Sequence, residues 1–390
     1  MKQTSIYITA DNIISSLGFT TKANWENIVA EQTGVECHDD TSIYPSPVWI
    51  SKIKEATLNE ASKGLQNPTQ YSKLEQLFLL SIKDVVESAK LDMSAADTLI
   101  IIASTKGNID LLEHKNQDKF PSNRVQLGTM ATEIQHYFNN PNTPLVVCNA
   151  CISGVLAMDV AKRLLRKKKY KNIIVTGGDL VSEFTLSGFQ SFKAMSDAPC
   201  KPYDKNRVGI NLGEGIGTVV LSTEKPAHQT EVITLEGSAS SNDANHISGP
   251  SRTGDGLFIA IEKALKDSAC TSDQIDYLSM HGTATPYNDE MESKAVALAN
   301  LQKVPLNSLK GYIGHTLGAA GLIESIVAIQ SLRNNLLYRS LGFEELGVPV
   351  SINVIKETSS MPLQKCLKTA SGFGGCNAAI VFVKSSNKTL

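Results

Sequence analysis

The sequence carries one pattern twice, and this duplication limits the folds that the chain can adopt. In the first half, the apolar run at residues 144–147 predicts a short buried strand, and a turn and an apolar helix follow it. In the second half, residues 307–315 run from a strand into a turn, and a helix begins near Leu317. Each half ends in a glycine turn that leads into a buried strand, at residues 213–221 and 372–383. This pattern predicts an α/β protein made of two related halves.

Composition limits the cellular setting. With 390 residues, 42% of them hydrophobic, the chain can bury a large core. A net charge of −2 gives no reason to expect nucleic-acid binding. The seven cysteines are an odd, scattered set, which is typical of reduced thiols rather than of a disulfide framework. No apolar run reaches the roughly 18 residues of a membrane span, and no signal peptide opens the chain, so a cytoplasmic protein is predicted.

Cys151 is the first candidate for catalysis. It lies on the turn between the strand at 144–147 and the following helix, where the helix dipole favours thiolate over thiol. Small neighbouring residues leave room for a substrate. Cys148 and Cys151 also form a Cys-x-x-Cys pair, so a thioredoxin-like redox pair remains an alternative. A zinc site is less favoured, because no second pair of ligands stands at ligand spacing.

Two histidines and a lysine occupy similar turns. His281 ends the strand-like run at 275–280, and Lys310 and His315 lie between a strand and the helix near Leu317. Open α/β sheets place their chemistry where strands end. A nucleophilic cysteine and two histidines are therefore expected to lie close together.

These residues stand in motifs that resemble those of the β-ketoacyl-acyl-carrier-protein synthases, condensing enzymes of the thiolase superfamily. The resemblance extends from Ile6 to Val383. The matching motifs are residues 149–154 (Asn-Ala-Cys-Ile-Ser-Gly), 281–286 (His-Gly-Thr-Ala-Thr-Pro), Lys310 with 314–321, 372–377 (Gly-Phe-Gly-Gly-Cys-Asn), and, more distantly, 201–215.

The resemblance implies a thiolase fold, in which two similar halves form five layers in the order α-β-α-β-α. We place the halves at residues 1–228 and 229–390, because residues 225–229 are polar and contain a proline. The first half holds the cysteine and the second both histidines. The polar segment at about 38–71 is expected to form a cap on the surface.

The resemblance also implies a mechanism. Cys151 would accept an acyl group from a phosphopantetheine thioester, with the backbone N–H groups of Cys151 and Phe373 stabilising the oxyanion. His281 and His315 would then stabilise the enolate formed when malonyl-carrier protein loses carbon dioxide. No metal and no cofactor beyond the carrier's phosphopantetheine arm are expected.

Further residues receive roles by the same resemblance. Lys310 would act electrostatically, and Phe373 would gate the malonyl pocket. The others are Glu324 as the ion-pair partner of Lys310, Thr283, Thr285, Phe189 and Lys106 as substrate-binding residues, and Lys193 and Lys73 as docking cations for acidic acyl carrier protein.

Several residues depart from the common family pattern. Ser371 stands where a phenylalanine is usual, residues 105–108 replace an apolar stretch beside the acyl pocket, and residues 201–204 carry Lys and Tyr for Arg and Phe. A lysine beside an acyl tunnel suits a long saturated chain poorly. Fatty-acid elongation and a specialised polyene, aryl-polyene or polyketide pathway both remain open.

Alternatives also remain for assembly and activity. Cys151 with both histidines favours an elongating synthase, since initiating synthases carry asparagine where His315 stands. A homodimer is expected, and a heterodimer with a ketosynthase-like chain is the alternative. A poorly active partner subunit and the Cys-x-x-Cys redox protein are the competing functions.

Overall fold

A computed structural model describes residues 4–41, 43–116, 119–226, 231–243 and 249–386. The strands are β1 Tyr7–Ser15, β2 Val35–His38, β3 Val48–Ser51, β4 Thr98–Ala103, β5 Leu145–Val147, β6 Asn172–Asp179, β7 Leu212–Gly213, β8 Gly215–Ser222, β9 Glu231–Asn242, β10 Tyr277–Ser279, β11 Leu306–Asn307, β12 Leu336–Leu337, β13 Ser359–Ser360, β14 Lys365–Gly372 and β15 Cys376–Ser386. The helices are α1 Thr21–Val29, α2 Glu55–Ser62, α3 Lys73–Ala89, α4 Leu127–Tyr137, α5 Ser153–Arg166, α6 Glu183–Ser191, α7 Asp255–Asp267, α8 Pro286–Leu298, α9 Lys310–Ile313 and α10 Ala320–Asn334.

The main sheet shows the duplication directly. Its order is β11-β10-β14-β15-β9-β1-β8-β6-β4-β5. The first half contributes β5-β4-β6-β8-β1, and the second contributes β11-β10-β14-β15-β9. When the five strands of each half are numbered 1 to 5 along the chain, both halves show the order 3-2-4-5-1. The parallel and antiparallel pairings also correspond, since β4 and β10 each have two parallel neighbours. The halves meet through a short antiparallel contact between β1 and β9.

The hydrophobic clusters define five layers. Helices α5 and α10 lie in the centre and pack against strands of both halves. Helices α3 and α4 cover the outer face of the first half, and α7 and α8 cover that of the second. The predicted thiolase fold of five layers is confirmed. No helix in the part of the chain that the structure describes has the length and apolarity needed to cross a bilayer.

The two central helices approach each other closely because of glycines. A Cβ on Gly154 would lie 2.7 Å from the backbone nitrogen of Leu322, and one on Gly321 would lie 2.7 Å from Val155 Cγ2. Close contact between α5 and α10 brings the loops at their amino termini together. Those loops carry Cys151 and His315.

Two predictions need correction. The strand at 144–147 exists as β5, but it is not buried in the single chain: it forms the sheet edge, and Leu145 is 41% exposed. The segment at 38–71 is not only a surface cap, because its strand β3 pairs with β2 and β7 and buries Ile50. The predicted break at 228/229 lies outside the described residues.

Candidate active site

Three loops bring Cys151, His281 and His315 together, although they are far apart in sequence. Cys151 precedes α5, His281 follows β10, and His315 lies between α9 and α10. His315 Nε2 lies 3.0 Å from Cys151 Sγ, and the two imidazole centroids are 5.1 Å apart. All three side chains are buried. Cysteine and histidine at this distance form a nucleophile and base pair.

Unusual backbone conformations shape each of these loops. Ala150, Ala284 and Leu317 have φ angles of 44°, 59° and 52°, which side chains with a Cβ rarely adopt. Each of these residues lies within three positions of a member of the triad, that is, Cys151, His281 and His315. Such strain costs on the order of 1–3 kcal/mol per residue and persists where the surrounding structure imposes it. The fold therefore holds the three loops in one arrangement.

The protonation state of Cys151 differs from the sequence-based expectation. Burial raises the pKa of the Cys151 thiol to about 12, with a smaller contribution from Cys376. Lys310 and the backbone N–H of Phe373 oppose this rise without cancelling it. Burial thus favours the thiol of Cys151, in the direction opposite to the thiolate that its position before the helix predicts. His315 is placed to accept the thiol proton when the sulfur attacks.

A buried ion pair fixes the orientation of His281. Lys310 Nζ lies 2.6 Å from Glu324 Oε1 and 3.2 Å from His281 Nδ1, and it donates to the backbone oxygen of His281 at 2.6 Å. An ammonium has no lone pair, so Nδ1 must accept and the ring proton is assigned to Nε2. His281 therefore has an N–H donor on its other ring nitrogen.

Both histidines are neutral at ordinary pH. Burial lowers the pKa of His281 and of His315 well below the usual value, and the nearby cation of Lys310 lowers both further. Neutral rings can act as base or as hydrogen-bond donor without the cost of burying another charge.

Two carboxylates that the motifs did not reveal hold the His281 loop. Glu292 accepts hydrogen bonds from the backbone nitrogens of His281 and Gly282, at 3.0 and 2.7 Å. Asp289 accepts one from the backbone nitrogen of Thr283 at 2.9 Å. Both acids lie in α8, directly after the loop, and this three-residue spacing was the available sequence signal. Burial raises the pKa of Glu292 to about 7.

A cavity of about 430 Å³ leads from this centre to the surface. Cys151, His281 and His315 lie among its lining residues. Thr283 and Thr285 also line it, and their hydroxyl oxygens are 2.7 Å apart. A cavity of this volume can admit a narrow chain bearing polar groups, which the threonine hydroxyls can contact.

Aromatic rings form one wall of the cavity. Phe373 is 36% exposed, so it is not a core residue. Its ring lies 5.5 Å from that of Phe189 and 5.2 Å from that of Phe192, and Phe189 lies 6.4 Å from His315. Its backbone N–H lies near enough to Cys151 to oppose the rise in the pKa of that thiol. Phe373 thus places an aromatic ring on the cavity wall and a backbone N–H near the sulfur. Ser371, also in the lining, donates to Asn377 Oδ1 at 2.8 Å.

The three candidate lysines have different surroundings. Lys193 is exposed and lines the cavity. Lys73 is a poor docking residue, because its side chain is 22% exposed and forms an ion pair with buried Glu214 at 2.9 Å. Lys106 lies outside the cavity lining, with its ammonium 6.0 Å from the Phe184 ring. Its role as a substrate-binding residue stays a prediction.

The triad also has a geometry that could hold a metal ion. The ligand atoms of Cys151, His281 and His315 lie within 4.8 Å of one another, a cluster that sequence spacing did not reveal. A thiolate and two imidazoles suit zinc. Lys310, 3.2 Å from His281 Nδ1, disfavours a second cation at this position. Cys148, by contrast, is exposed whereas Cys151 is buried, so the two thiols occupy unlike environments.

Fold and site together define a thiolase-fold enzyme in which one cysteine and two histidines lie together in a buried cavity. The N-terminal domain model of the β-ketoacyl synthases matches residues 3–227, and the C-terminal domain model matches residues 232–344. The chain belongs to the β-ketoacyl synthase family.

Relatives and solved structures agree with this assignment. The 3-oxoacyl-[acyl-carrier-protein] synthase 2 of Vibrio cholerae is 28% identical and covers 98% of this chain and 99% of its own length. The 3-oxoacyl-[acyl-carrier-protein] synthase 2 of Rhizobium meliloti is 27% identical, and the match covers 96% of this chain and 98% of the relative. A ketosynthase solved with its chain length factor from Xenorhabdus doucetiae shares the fold with a TM-score of 0.84, 23% identity and 98% coverage of both chains. A β-ketoacyl synthase from Burkholderia phymatum has a TM-score of 0.85, 21% identity and coverage of 99% and 100%.

Proposed function

We propose that this enzyme condenses an acyl group held on Cys151 with malonyl-acyl-carrier protein. The products are a β-ketoacyl-carrier protein and carbon dioxide. The 3.0 Å contact between Cys151 Sγ and His315 Nε2, inside a cavity shared with His281, is the observation that carries the proposal.

The first half-reaction transfers the acyl group. His315 accepts the thiol proton as Cys151 sulfur attacks the thioester carbonyl, and the carrier's thiolate leaves with that proton. The backbone N–H groups of Cys151 and Phe373 stabilise the oxyanion. The high pKa of Cys151 makes the nearby base necessary, since little thiolate is present beforehand.

The second half-reaction forms the carbon–carbon bond. The bond between the malonyl α-carbon and its carboxylate breaks, carbon dioxide leaves, and the electron pair becomes an enolate. His281 and His315 hydrogen-bond the enolate oxygen, and Lys310 with Glu324 keeps His281 oriented as a donor. The α-carbon attacks the acyl carbonyl, and Cys151 departs as a thiolate that takes up one proton from solvent, passed on by His315, to restore the thiol. No added cofactor is needed beyond the phosphopantetheine arm, which Thr283 and Thr285 contact.

The partners follow from two surfaces. An acidic acyl carrier protein docks at the cavity mouth, where Lys193 is exposed. A second chain covers the edge strand β5, because an exposed apolar edge invites strand pairing. Leu112 and Phe184, 60% and 59% exposed, are further exposed apolar side chains of the first half. A homodimer is the first expectation and a heterodimer with a ketosynthase-like chain the second. Light scattering of the purified protein distinguishes a dimer from a monomer, and a monomer would contradict the proposal of a second chain at β5.

Location and pathway complete the proposal. All seven cysteines are free, which accords with a cytoplasmic location. Lys106 lies outside the cavity lining, but its charge lowers the pKa of the Cys151 thiol. A cation near the nucleophile suits a specialised polyene or polyketide chain better than a long saturated acyl group.

The test supplies purified protein with malonyl- and acyl-carrier proteins of several chain types. Release of carbon dioxide with formation of the β-ketoacyl product supports the proposal. Mass spectrometry of the group trapped on Cys151 in cells then identifies the acyl class. Inert protein that becomes active only with a second ketosynthase-like chain would support the partner-subunit alternative.

A further inference from the structure

A second buried lysine stands behind the catalytic histidines. Lys368 lies on β14, opposite Ser279 of β10, two residues before His281. Its side chain is 0% exposed, and its Nζ lies 2.6 Å from Glu324 Oε2. Lys310 holds the other oxygen of the same carboxylate, also at 2.6 Å. One buried carboxylate therefore bridges two ammonium groups.

The position follows from strand geometry. On β14, Cys366 and Ala370 face the central core and Leu367 faces the outer core. Side chains alternate along a strand, so Lys368 lies on the central face, toward α10 and Glu324. Lys368 also donates to the backbone oxygen of Thr369. The side chain is thus directed into the site rather than toward solvent.

Stability alone does not account for this lysine. A single carboxylate neutralises one cation, so Lys310, Glu324 and Lys368 together carry one net positive charge when both ammonium groups are protonated. Burial lowers the pKa of Lys368, and the adjacent Glu324 carboxylate opposes that shift. Burying a charge without full compensation costs free energy. Apolar residues would fill the same strand position at lower cost. A feature of this kind beside catalytic groups points to function.

The retained charge acts on the reacting groups. Lys310 contacts His281 directly, and Lys368 is among the cations that lower the pKa of both His281 and His315. Negative charge develops on the enolate oxygen, which the proposed reaction places against these histidines. Fixed positive charge in a water-poor site stabilises such an anion more strongly than water would.

We propose that Lys368 is a positioning residue for decarboxylation. It holds Glu324 by Oε2, so that Lys310 keeps its direction toward His281, and it supplies the net positive charge behind the histidine pair. This inference rests on the proposed function and assigns Lys368 to its second half-reaction. Acylation of Cys151 depends on His315 and is largely independent of Lys368.

The test compares Lys368→Met with Lys384→Met. Lys384 is a matched control, because it lies on the neighbouring strand β15, is buried, and bonds to Asn335 Oδ1 at 2.7 Å, away from the site. Two rates are measured on each variant: acylation of Cys151, by intact mass, and carbon dioxide release from malonyl-carrier protein. Lys368→Met should lose decarboxylation by tenfold or more, roughly what one nearby charge provides at an effective dielectric near 20, with acylation within about threefold of wild type.

A spectroscopic measurement separates this role from simple packing. Removing a cation should raise the pKa of His281 and His315, measured by NMR of ring-labelled histidine, in Lys368→Met but not in Lys384→Met. The groups facing these rings are Cys151, Lys310, Glu324, Lys368 and, through the His281 backbone, Glu292. Lys368→Arg keeps the charge and should restore most of the decarboxylation.

The outcomes are distinguishable. Equal loss of both rates in Lys368→Met, or unchanged decarboxylation, would overturn the inference while leaving the proposed function intact. Wild-type protein that fails to decarboxylate malonyl-carrier protein would instead overturn the proposed function. If circular dichroism shows that Lys368→Met does not fold, Lys368→Arg is used for the test instead. A folded Lys368→Arg protein whose decarboxylation rate falls relative to its acylation rate would contradict the role assigned to the charge.

Discussion

At the residue scale, the proposed chemistry depends on Cys151 as nucleophile and His315 as base. Cys151 is buried, burial raises the pKa of its thiol, and His315 lies 3.0 Å away, in position to accept the proton. Residue types and motif spacing singled out both residues as candidates, and their roles stay predictions. The protonation state could not be predicted, because it depends on how completely the folded chain removes water from the sulfur.

The reactivity of Cys151 should report this protonation state. Because the pKa of Cys151 is raised to about 12, its thiolate fraction is small at neutral pH. This fraction grows about tenfold per pH unit, and the growth continues to well above pH 9. Alkylation by iodoacetamide, followed at the Cys151 peptide, should therefore rise with pH without a plateau below pH 9. His315→Ala should slow alkylation at pH 7, where the base is needed. A plateau below pH 8 would show a resting thiolate instead.

The two neighbouring cysteines should differ sharply on substitution. Cys151→Ser should abolish condensation, since an alcohol in this site is a far weaker nucleophile. Cys148→Ser should retain most activity, because Cys148 is exposed and its thiol donates to the Thr105 carbonyl at a long distance of 3.9 Å. Rates with malonyl- and acyl-carrier proteins measure both. Equal loss in the two variants would favour a redox pair.

At the scale of elements, the loops before α5 and α10 occupy equivalent places in the two halves. The repeated pattern predicted both helices and the strands before them. It did not reveal the close approach of α5 to α10 or the positive φ angles of Ala150 and Leu317, because these arise only when the halves pack together. Lys368 escaped notice for the same reason: a single lysine in a strand carries no signal until Glu324 is placed beside it.

Glycine at position 154 should be required for this approach. In Gly154→Ala the added Cβ would lie 2.7 Å from the Leu322 backbone nitrogen, so the helices must separate. We expect a loss of about 1–3 kcal/mol in unfolding free energy and a larger relative loss of condensation. Gly188→Ala in α6 is the control, because nothing lies within 4 Å of its Cβ. Denaturant unfolding and activity measure both, and a neutral Gly154→Ala would contradict the packing argument.

At the scale of the whole molecule, the two halves and their layers follow from the duplicated pattern and the family resemblance. The exposure of β5 could not be predicted, because the sequence does not state which strand lies at the sheet edge. The surface also decides how a carrier protein arrives. Lys193 is exposed at the cavity, whereas Lys73 is bound to Glu214.

Charge reversal at Lys193 should therefore affect encounter rather than chemistry. Lys193→Glu is expected to raise KM for acyl-carrier protein several-fold and to spare turnover of short pantetheine thioesters. Added salt should produce the same rise in wild type, because rim charges are screened. Lys73→Gln, matched in residue type but largely buried, should lack this salt-dependent signature. An unchanged KM at low ionic strength would place docking elsewhere.

The division of labour between nucleophile and histidines is the central claim, and His281→Ala tests it most directly. Intact mass and carbon dioxide release are followed in the same sample with acyl- and malonyl-carrier proteins. Acyl-Cys151 should form at close to the wild-type rate, whereas decarboxylation should fall on the order of a hundredfold, as expected for loss of one preorganised donor. Normal carbon dioxide release with failed acylation would contradict the account.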